Sequence, residues 1–357
     1  MSDKGVSWRG KLRVRTRHLA ARAQDLHSRY ARIFWMAHSA WALVTGAAVL
    51  VLAHNRYGFL PWVVLFLALT WASTLVISRF ASFFQTPAMS FARGFVSYIT
   101  RVMYQETLFF LLPFYFYSTT VPSWNAVFVL FLAALAALSC FDLLFDRLLR
   151  EKRAFALGFF GVVTFSSLQF FLPLLLHMRV HVAAYLAAIV AFMASVPLAY
   201  GWRDLRQWRL LLKLTAVLIL VVLALKVVRP AVPPVPLRLA KLRFAAQFDA
   251  RTLRATEEFT DRIPLAKLAD GRLYAIATIF SPTRLPTSIV LTFKHEGIPE
   301  RSSRTLDLVA HERGFRVWGV LRAPKDGFTP GLYVIDVTTA EGQLVGRGEV
   351  RVASDHS

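Results

Sequence analysis

The feature that most constrains this chain is a series of long apolar runs. A helix needs about 20 apolar residues to cross the hydrocarbon core of a membrane. Seven runs reach or approach that length, and they cover approximately residues 33–53, 59–77, 103–121, 124–141, 155–176, 182–200 and 210–228. The sequence therefore predicts a membrane α-helical bundle, residues 33–228, with about seven transmembrane helices.

The composition agrees with this class of protein. Of the 357 residues, 56% are hydrophobic, which is more than a soluble chain of this length averages. The formal net charge is +21, and residues 1–229 carry 24 Lys and Arg against 7 Asp and Glu. A basic excess is also typical of nucleic-acid binding. Because it accompanies apolar runs here, we expect these charges to face anionic lipid, with no nucleic-acid partner.

The loops between the apolar runs predict an orientation. Alternate loops, beginning with the basic segment 1–32, carry 19 Lys and Arg in total, whereas the other loops carry 2. Lys and Arg are enriched in cytoplasmic loops, so segment 1–32 is expected in the cytoplasm, either as a helix on anionic lipid at that face or as a frayed basic tail. With seven spans in a bacterial inner membrane, the C-terminal part lies in the periplasm. An even number of spans would reverse that conclusion.

The stretch VVRPAVPPVPLRL, residues 227–239, marks a change of character. Four prolines in segment 229–237 cannot continue a helix, and they favour stiff, extended polyproline II. We therefore expect a Pro-rich linker that holds the following part of the chain away from the membrane surface.

Beyond the linker, residues 238–353 show alternation with a period of two, which is typical of strands. Candidate strands lie at 238–248, 272–280, 287–294, 303–310, 315–322, 331–338 and 343–352, with turn signals between them. This spacing predicts an extracytoplasmic all-β domain, an immunoglobulin-like β-sandwich. Residues 249–268 do not fit the pattern and are expected to be a helix or an irregular crossover.

Several stretches resemble uncharacterised bacterial families. RLYAIATIFSP (272–282), GFRVWGVLRAP (314–324) and GLYVIDVTTAEGQLVGRGEVRV (331–352) are similar to the domain of unknown function 2914, which commonly follows membrane spans. ETLFFLLPFYFYSTT (106–120) and SSLQFFLPLLLH (166–177) resemble an uncharacterised membrane family, the domain of unknown function 5924. The resemblance implies architecture only, because no activity comes with either family.

Familiar catalytic motifs are missing from the sequence: it has no G-x-S-x-G, no Walker loop, no H-E-x-x-H and no C-x-x-C. A carboxylate inside lipid must pair, accept a proton or reach water, so Glu106 is a candidate intramembrane polar site, with Arg101 or Arg79 as its partner. Asp142, after the fourth run, is a second candidate. For each, a structural ion pair or a solvated helix is the alternative interpretation.

Three histidines fall on the predicted outer side: His54, His177 and His181. The last two are four residues apart, a spacing that can hold a metal ion on a helix. Because Arg179 and an expected turn lie between them, we interpret them as ordinary interfacial histidines. The sequence thus predicts no cofactor and no metal site, with these three as the weak candidates.

Three classes of function remain open. The leading hypothesis is a non-enzymatic inner-membrane protein whose periplasmic β-sandwich binds a protein partner or envelope ligand. The second is a transporter or channel whose spans carry the function through Glu106. The third is an intramembrane enzyme that acts on lipid-linked substrates.

Overall fold

The computed structural model describes Val44 and residues 89–201, 203–249, 252, 254–282, 285–302, 305–308, 314–324 and 327–354. The chain divides into two compact units, 1–51 and 52–357, and every feature below belongs to the second. Segment 1–32, the first two predicted spans, His54 and Arg79 lie outside the described residues. For residues 89–102 and for Asp142 and Asp146, the backbone alone is described.

Six α-helices are described: five occupy the later apolar runs, as the sequence predicts, and a short polar helix lies between the second and third of these. In chain order they are α1 (Met89–Tyr117), α2 (Asn125–Ser139), α3 (Asp142–Glu151), α4 (Arg153–Leu176), α5 (Val180–Ala199) and α6 (Trp208–Val228). Within the described residues, Arg153–Leu176, Val180–Ala199 and Trp208–Ala231 are the three helices long and apolar enough to cross a membrane. Helix α2 is apolar but has 15 residues, fewer than the roughly 20 that a span needs.

The helices pack through two kinds of surface. Aromatic and leucine side chains of α1, α2 and α4 form one buried cluster, in which Phe114 and Phe170 have ring centroids 4.6 Å apart. Helix α5 instead buries a row of alanines, including Ala184 and Ala188. Small residues let helix backbones approach closely. Helix α6 lies at the edge of the bundle, and Leu225 is its one buried side chain.

The C-terminal part is mostly β-structure, again as the sequence predicts. Its strands are β1 (Arg238–Ala245), β2 (Phe248–Asp249), β3 (Arg254–Ala255), β4 (Arg262–Pro264), β5 (Arg272–Phe280), β6 (Ser288–His295), β7 (Ile298–Ser302), β8 (Leu306–Asp307), β9 (Phe315–Arg322), β10 (Gly331–Thr339) and β11 (Leu344–Ala353). One sheet has the order β1-β5-β9. A larger sheet has the order β4-β11-β10-β6-β7, with β8 beside β6.

The two sheets share one buried core, to which alternate residues of each strand contribute. In β10, Tyr333, Ile335 and Val337 are buried in it. Side chains of β1 pack closely on β11, where Gly348 leaves no room for a Cβ beside Leu242. The close approach of these two strands therefore depends on a residue without a side chain.

The described residues of 249–268 form short pieces of structure, none of them an α-helix. The hairpin β2–β3 is followed by β4, which pairs parallel with β11, and by a 3-10 turn at Leu265–Leu268. Strand β7 was not expected, because residues 297–299, Gly-Ile-Pro, resemble a turn. The predicted strand 303–310 is reduced to β8 among its described residues.

The Pro-rich segment 229–237 is not the extended spacer that its prolines predict. Residues 229–231 form a short 3-10 turn, and residues 232–237 are buried. Val235 belongs to the helical core, whereas Leu237 belongs to the β core. Burial of these apolar side chains outweighs the preference of the prolines for an extended, solvated chain. The segment therefore joins the β region directly to the helix ends.

A second valine makes the reciprocal contact. Val180, the first residue of α5, is buried in the core of the β region. Each part of the molecule thus places one valine in the core of the other. The β region thus contacts the helix ends at the α1–α2 turn, the α4–α5 turn and residues 229–237. We call this contact the junction.

Candidate functional site

Three side-chain amides hold the junction together. Asn125 Nδ2, at the start of α2, donates to the carbonyl of Leu344 at 3.2 Å. Gln343 Nε2 donates to the carbonyl of Val232 at 3.2 Å, and Gln169 Nε2 of α4 donates to that of Pro233 at 3.1 Å. A buried carbonyl without a partner is costly, so these amides stabilise the docked arrangement.

The turn between β10 and β11 is held by two further residues. His181 Nδ1 lies 2.8 Å from Oε1 of Glu341, and both side chains are about four-fifths buried. The guanidinium of Arg229 donates to the backbone carbonyl of the same glutamate. Glu341 thereby connects α5, the end of α6 and the β10–β11 turn.

The outer face of the larger sheet carries a charged cluster made by three strands. Asp336 of β10 accepts from Arg347 of β11 through Nε at 2.6 Å and Nη2 at 3.2 Å. Lys294 Nζ of β6 lies 2.7 Å from Oδ2 of Asp336, the oxygen that also accepts from Nη2 of Arg347. Arg347 is directly opposite Asp336 in the register, and Lys294 reaches it diagonally. Cross-strand pairing therefore brings one carboxylate between two cations.

Charge and burial act in opposite directions on this carboxylate. Burial alone would raise the pKa of Asp336, but the hydrogen bonds and charges of Arg347 and Lys294 outweigh it and hold that pKa below its usual value. Asp336 is thus ionised at neutral pH. Because it is paired with two cations, the cluster keeps one unit of positive charge.

Asp336 and Arg347 of the cluster line a cavity of about 660 Å³ at the junction. Its walls come from the α1–α2 turn, the end of α6 and strands β10 and β11, namely Pro122, Ser123, Trp124, Pro230, Asp336, Thr338, Gly342, Leu344 and Arg347. The indole of Trp124 is 77% exposed at its edge. Tryptophan prefers the boundary between water and lipid, so the cavity has both an apolar and an ionic wall.

A second cavity, of about 620 Å³, lies among the helices. It is an apolar groove between α4, α5 and α6, to whose lining Phe128 of α2 and Val232 also contribute. Ser195 and Tyr200 are its polar residues, and the rest of its lining is aliphatic, aromatic or glycine. This groove exists because α6 packs on its neighbours over a small area.

The structure places the predicted site residues at several locations. Glu106 is half-buried in α1, between buried Gln105 and Thr107, and about 16 Å of helix separates it from Tyr117. Gln105 Nε2 lies 3.5 Å from Sγ of Cys140, which brings this turn of α1 close to the start of α3, where Asp142 lies. Arg101 is in the first half of α1. These candidates are therefore away from the junction.

The two described histidines of the weak metal set have different surroundings. His177 ends α4 in the left-handed conformation, with φ of 50°, and is exposed. His181 instead pairs with Glu341 at the junction. Among the described residues, no three His, Cys, Asp or Glu side chains are grouped closely enough to hold a metal ion.

Sequence reasoning missed the charged cluster. Lys294, Asp336 and Arg347 lie on three strands, and a single sequence does not indicate which strands are neighbours. One signal was present: Asp336 stands in LYVIDVTT, where the adjacent strand residues are apolar. A lone carboxylate in such a run must find a cationic partner on a neighbouring strand.

These features define a class of protein: a chain with several apolar helices of membrane-spanning character, joined through a polar cavity to a C-terminal β region. The chain belongs to a family of unknown function, DUF5924, whose model matches residues 14–275. That match covers the helices, the junction segment and the chain as far as the first half of β5. No curated protein is significantly similar to the chain.

Proposed function

We propose that this is a multi-pass bacterial inner-membrane protein that binds an envelope ligand or protein partner at the junction cavity. In this proposal the seven apolar runs span the membrane, and the short α2 crosses it together with the residues that flank it in the run 124–141. The N-terminus is then cytoplasmic and the β region is periplasmic. The distribution of Lys and Arg among the loops supports the orientation. The structure adds that the α1–α2 turn and the α4–α5 turn, both poor in these residues, lie at the same end of the helices as the β region.

We further propose that the β region is an immunoglobulin-like sandwich of the domain 2914 type. The strand order supports this, because one sheet is β1-β5-β9 and the other contains β11-β10-β6-β7. In an immunoglobulin domain, strands A, B and E lie in one sheet and strands C, F and G lie in the other. Here β1, β5 and β9 correspond to A, B and E, and β6, β10 and β11 correspond to C, F and G. The parallel pairing of β4 with β11 extends the second sheet at its edge.

The cavity at the junction is the observation that carries the binding role. It combines an exposed indole, Trp124, with a carboxylate held between Arg347 and Lys294, and both parts of the molecule contribute to its walls. Concave sites with a few fixed polar groups among apolar ones are where ligands bind. Asp336 is engaged in ion pairs with Arg347 and Lys294, and such fixed charged groups support a binding role.

Photocrosslinking from the cavity tests the proposal. Benzoylphenylalanine in place of Trp124 should form an adduct with the bound molecule in living cells. The matched control is the same replacement at Trp208, which is 66% exposed at the other end of α6. Adducts from position 124 alone support the proposal, whereas no adduct there, or equal labelling at both positions, contradicts it.

The orientation has its own test. A reporter enzyme that is active outside the cytoplasm should work when fused after residue 357 and fail when fused near residue 150. Activity at both positions or at neither would contradict the seven spans.

Transport through the helices is the second candidate, and one observation favours it. Gln105, Thr107, Ser166 and Gln169 are polar and buried among apolar helix side chains, and Glu106 lies beside the first two. Intramembrane polar residues are typical of transport pathways. Glu106→Gln should abolish activity in a growth or uptake assay if this function is correct, whereas Glu151→Gln, at an exposed position of α3, should not.

A further inference from the structure

Residues that line the two cavities are close neighbours in the chain at two places. Trp124 lines the junction cavity and Phe128 lines the apolar groove, one helical turn, or about 6 Å, further along α2. In the same way, Pro230 faces the junction cavity, while Val228 and Val232 on either side of it line the groove. A polar and an apolar compartment therefore adjoin along the same two stretches of chain.

The groove is accessible from the lipid phase. Its third wall, α6, buries Leu225 alone, although the whole helix is described, and residues such as Leu220 and Leu223 point outward. In a membrane, a groove beside such a loosely packed helix is open to acyl chains. Its aliphatic and aromatic lining matches their chemistry, since burial of each CH₂ group favours binding.

The junction compartment has the opposite character. Arg347, Lys294 and Arg229 lie in or beside it, and the carboxylates near them are Asp336, within the cluster, and Glu349, exposed on β11. The third carboxylate, Glu341, contacts Nδ1 of His181. With Glu341 included, the three carboxylates equal the three cations in number, but Arg347 has N–H donors in excess of the two that Asp336 accepts, and these remain for an anionic group. The compartment is therefore complementary to an anionic group.

We propose that a single anionic lipid occupies both compartments, with its headgroup in the junction cavity and an acyl chain in the groove between α4, α5 and α6. The inference rests on the proposed binding function and names the ligand class of that site. The lipid would cross the level of Pro230 and Trp124, where the headgroup region of a bilayer meets its hydrocarbon core.

The groove can be filled without disturbing the fold. A Cβ at Gly158 of α4 meets no described atom within 4 Å. Gly158→Phe thus places a ring in the groove, and it also removes a glycine from a helix interior, which favours the helix. Met193→Phe is the matched control, because Met193 is an exposed residue of α5 that does not line the groove.

The headgroup end is tested by Arg347→Gln. Asp336 keeps Lys294 as its partner in this variant, so the carboxylate is not left alone. The control is Arg351→Gln, four residues further along the same face of β11 and exposed. Circular dichroism and size-exclusion chromatography of every variant confirm that the full chain is folded before binding is compared.

The measurement is lipid retention by the full-length protein. The protein is reconstituted in nanodiscs of phosphatidylglycerol and phosphatidylcholine in equal parts, extracted into detergent and analysed by native mass spectrometry. We expect one phosphatidylglycerol to be retained. Its occupancy should fall about tenfold in Arg347→Gln, since loss of a charge-assisted hydrogen bond has an effect of that order. It should also fall in Gly158→Phe, because the new ring takes the place of the acyl chain. Both controls should retain it.

Three results would overturn the proposal. Equal retention of the two lipids would show that charge does not select the ligand. Loss of retention in Arg347→Gln but not in Gly158→Phe, together with displacement by inorganic phosphate, would show a free-anion site instead. Unchanged retention in both variants would show that the lipid does not bind in either compartment. If a protein is crosslinked to position 124 while lipid retention is absent, the binding function stands and this inference fails.

Discussion

Nδ1 of His181 lies 2.8 Å from Oε1 of Glu341, although one residue begins α5 and the other is in the β10–β11 turn. The contact is shielded from water, so it contributes to docking of the β region. Glu341→Gln should weaken it by about 1 kcal/mol, the ordinary worth of one such hydrogen bond. Hydrogen exchange of residues 340–344 should become faster. Glu349→Gln, at an exposed position of the adjacent strand, should leave that exchange rate unchanged.

The charged cluster makes a prediction about stability and pH. Asp336→Asn leaves Arg347 and Lys294 facing each other and should lower the free energy of unfolding by about 2–3 kcal/mol at neutral pH. The measurement is thermal unfolding in detergent, with exposed Asp261→Asn as the control. A loss no larger than that of the control would mean that the cluster does not stabilise the sheet.

The sign of the pH effect follows from the lowered pKa of Asp336. A carboxyl with a lower pKa in the folded state stabilises the fold above its unfolded value, about 3.9, and loses that contribution as the pH falls through the folded value. The difference between wild type and Asp336→Asn should therefore be full at neutral pH and shrink below about pH 4. A difference that grows on acidification would contradict the pairing.

Gly348 controls how closely β11 approaches β1. In Gly348→Ala the new methyl group would overlap the side chain of Leu242. We expect a loss of about 1–3 kcal/mol in the free energy of unfolding, typical of overpacking. Leu242→Ala removes most of the overlapping atoms, so the double variant should lose less than the sum of the two single losses. Additive losses would mean that the two residues are not in contact.

The junction segment can be tested through its buried valine. Val235→Ala deletes two methyl groups from the helical core and should destabilise the docked arrangement by about 1–3 kcal/mol. The readout is hydrogen exchange or proteolysis across residues 232–237. Val227→Ala, at a position 79% exposed, is the matched control and should be close to neutral. Equal hydrogen exchange or proteolysis in the two variants would instead support an extended spacer at residues 229–237.

Local pattern was sufficient for most elements, and the reason is physical. Strands β5 and β9 occupy the predicted residues, 272–280 and 315–322, because alternation and turn signals are local properties of the chain. Long apolar runs likewise predicted the positions of five helices. Strand β7 was missed, since a strand containing Pro299 depends on its pairing with β6, which no local signal reveals.

The site depended on contacts between residues far apart in the chain. Asp336 meets Lys294 across β10 and β6, and His181 meets Glu341 across the junction. The interpretation of the Pro-rich segment failed for the same reason. Its prolines indicate an extended chain, but Val235 is buried by helices, and the local sequence does not indicate where those helices lie. Glu106, chosen for the cost of a charge in lipid, lies away from the cavity.

The exchange of valines has a consequence for biosynthesis. Val235 completes the core of the helices, yet it follows the last of them in the chain, and the β core in turn requires Val180 from an earlier helix. When only the helices have been synthesised, the core of the bundle therefore still lacks the side chain of Val235. The two parts mature together, so a chain truncated before residue 235 should be recognised by quality-control proteases even though all of its helices are present.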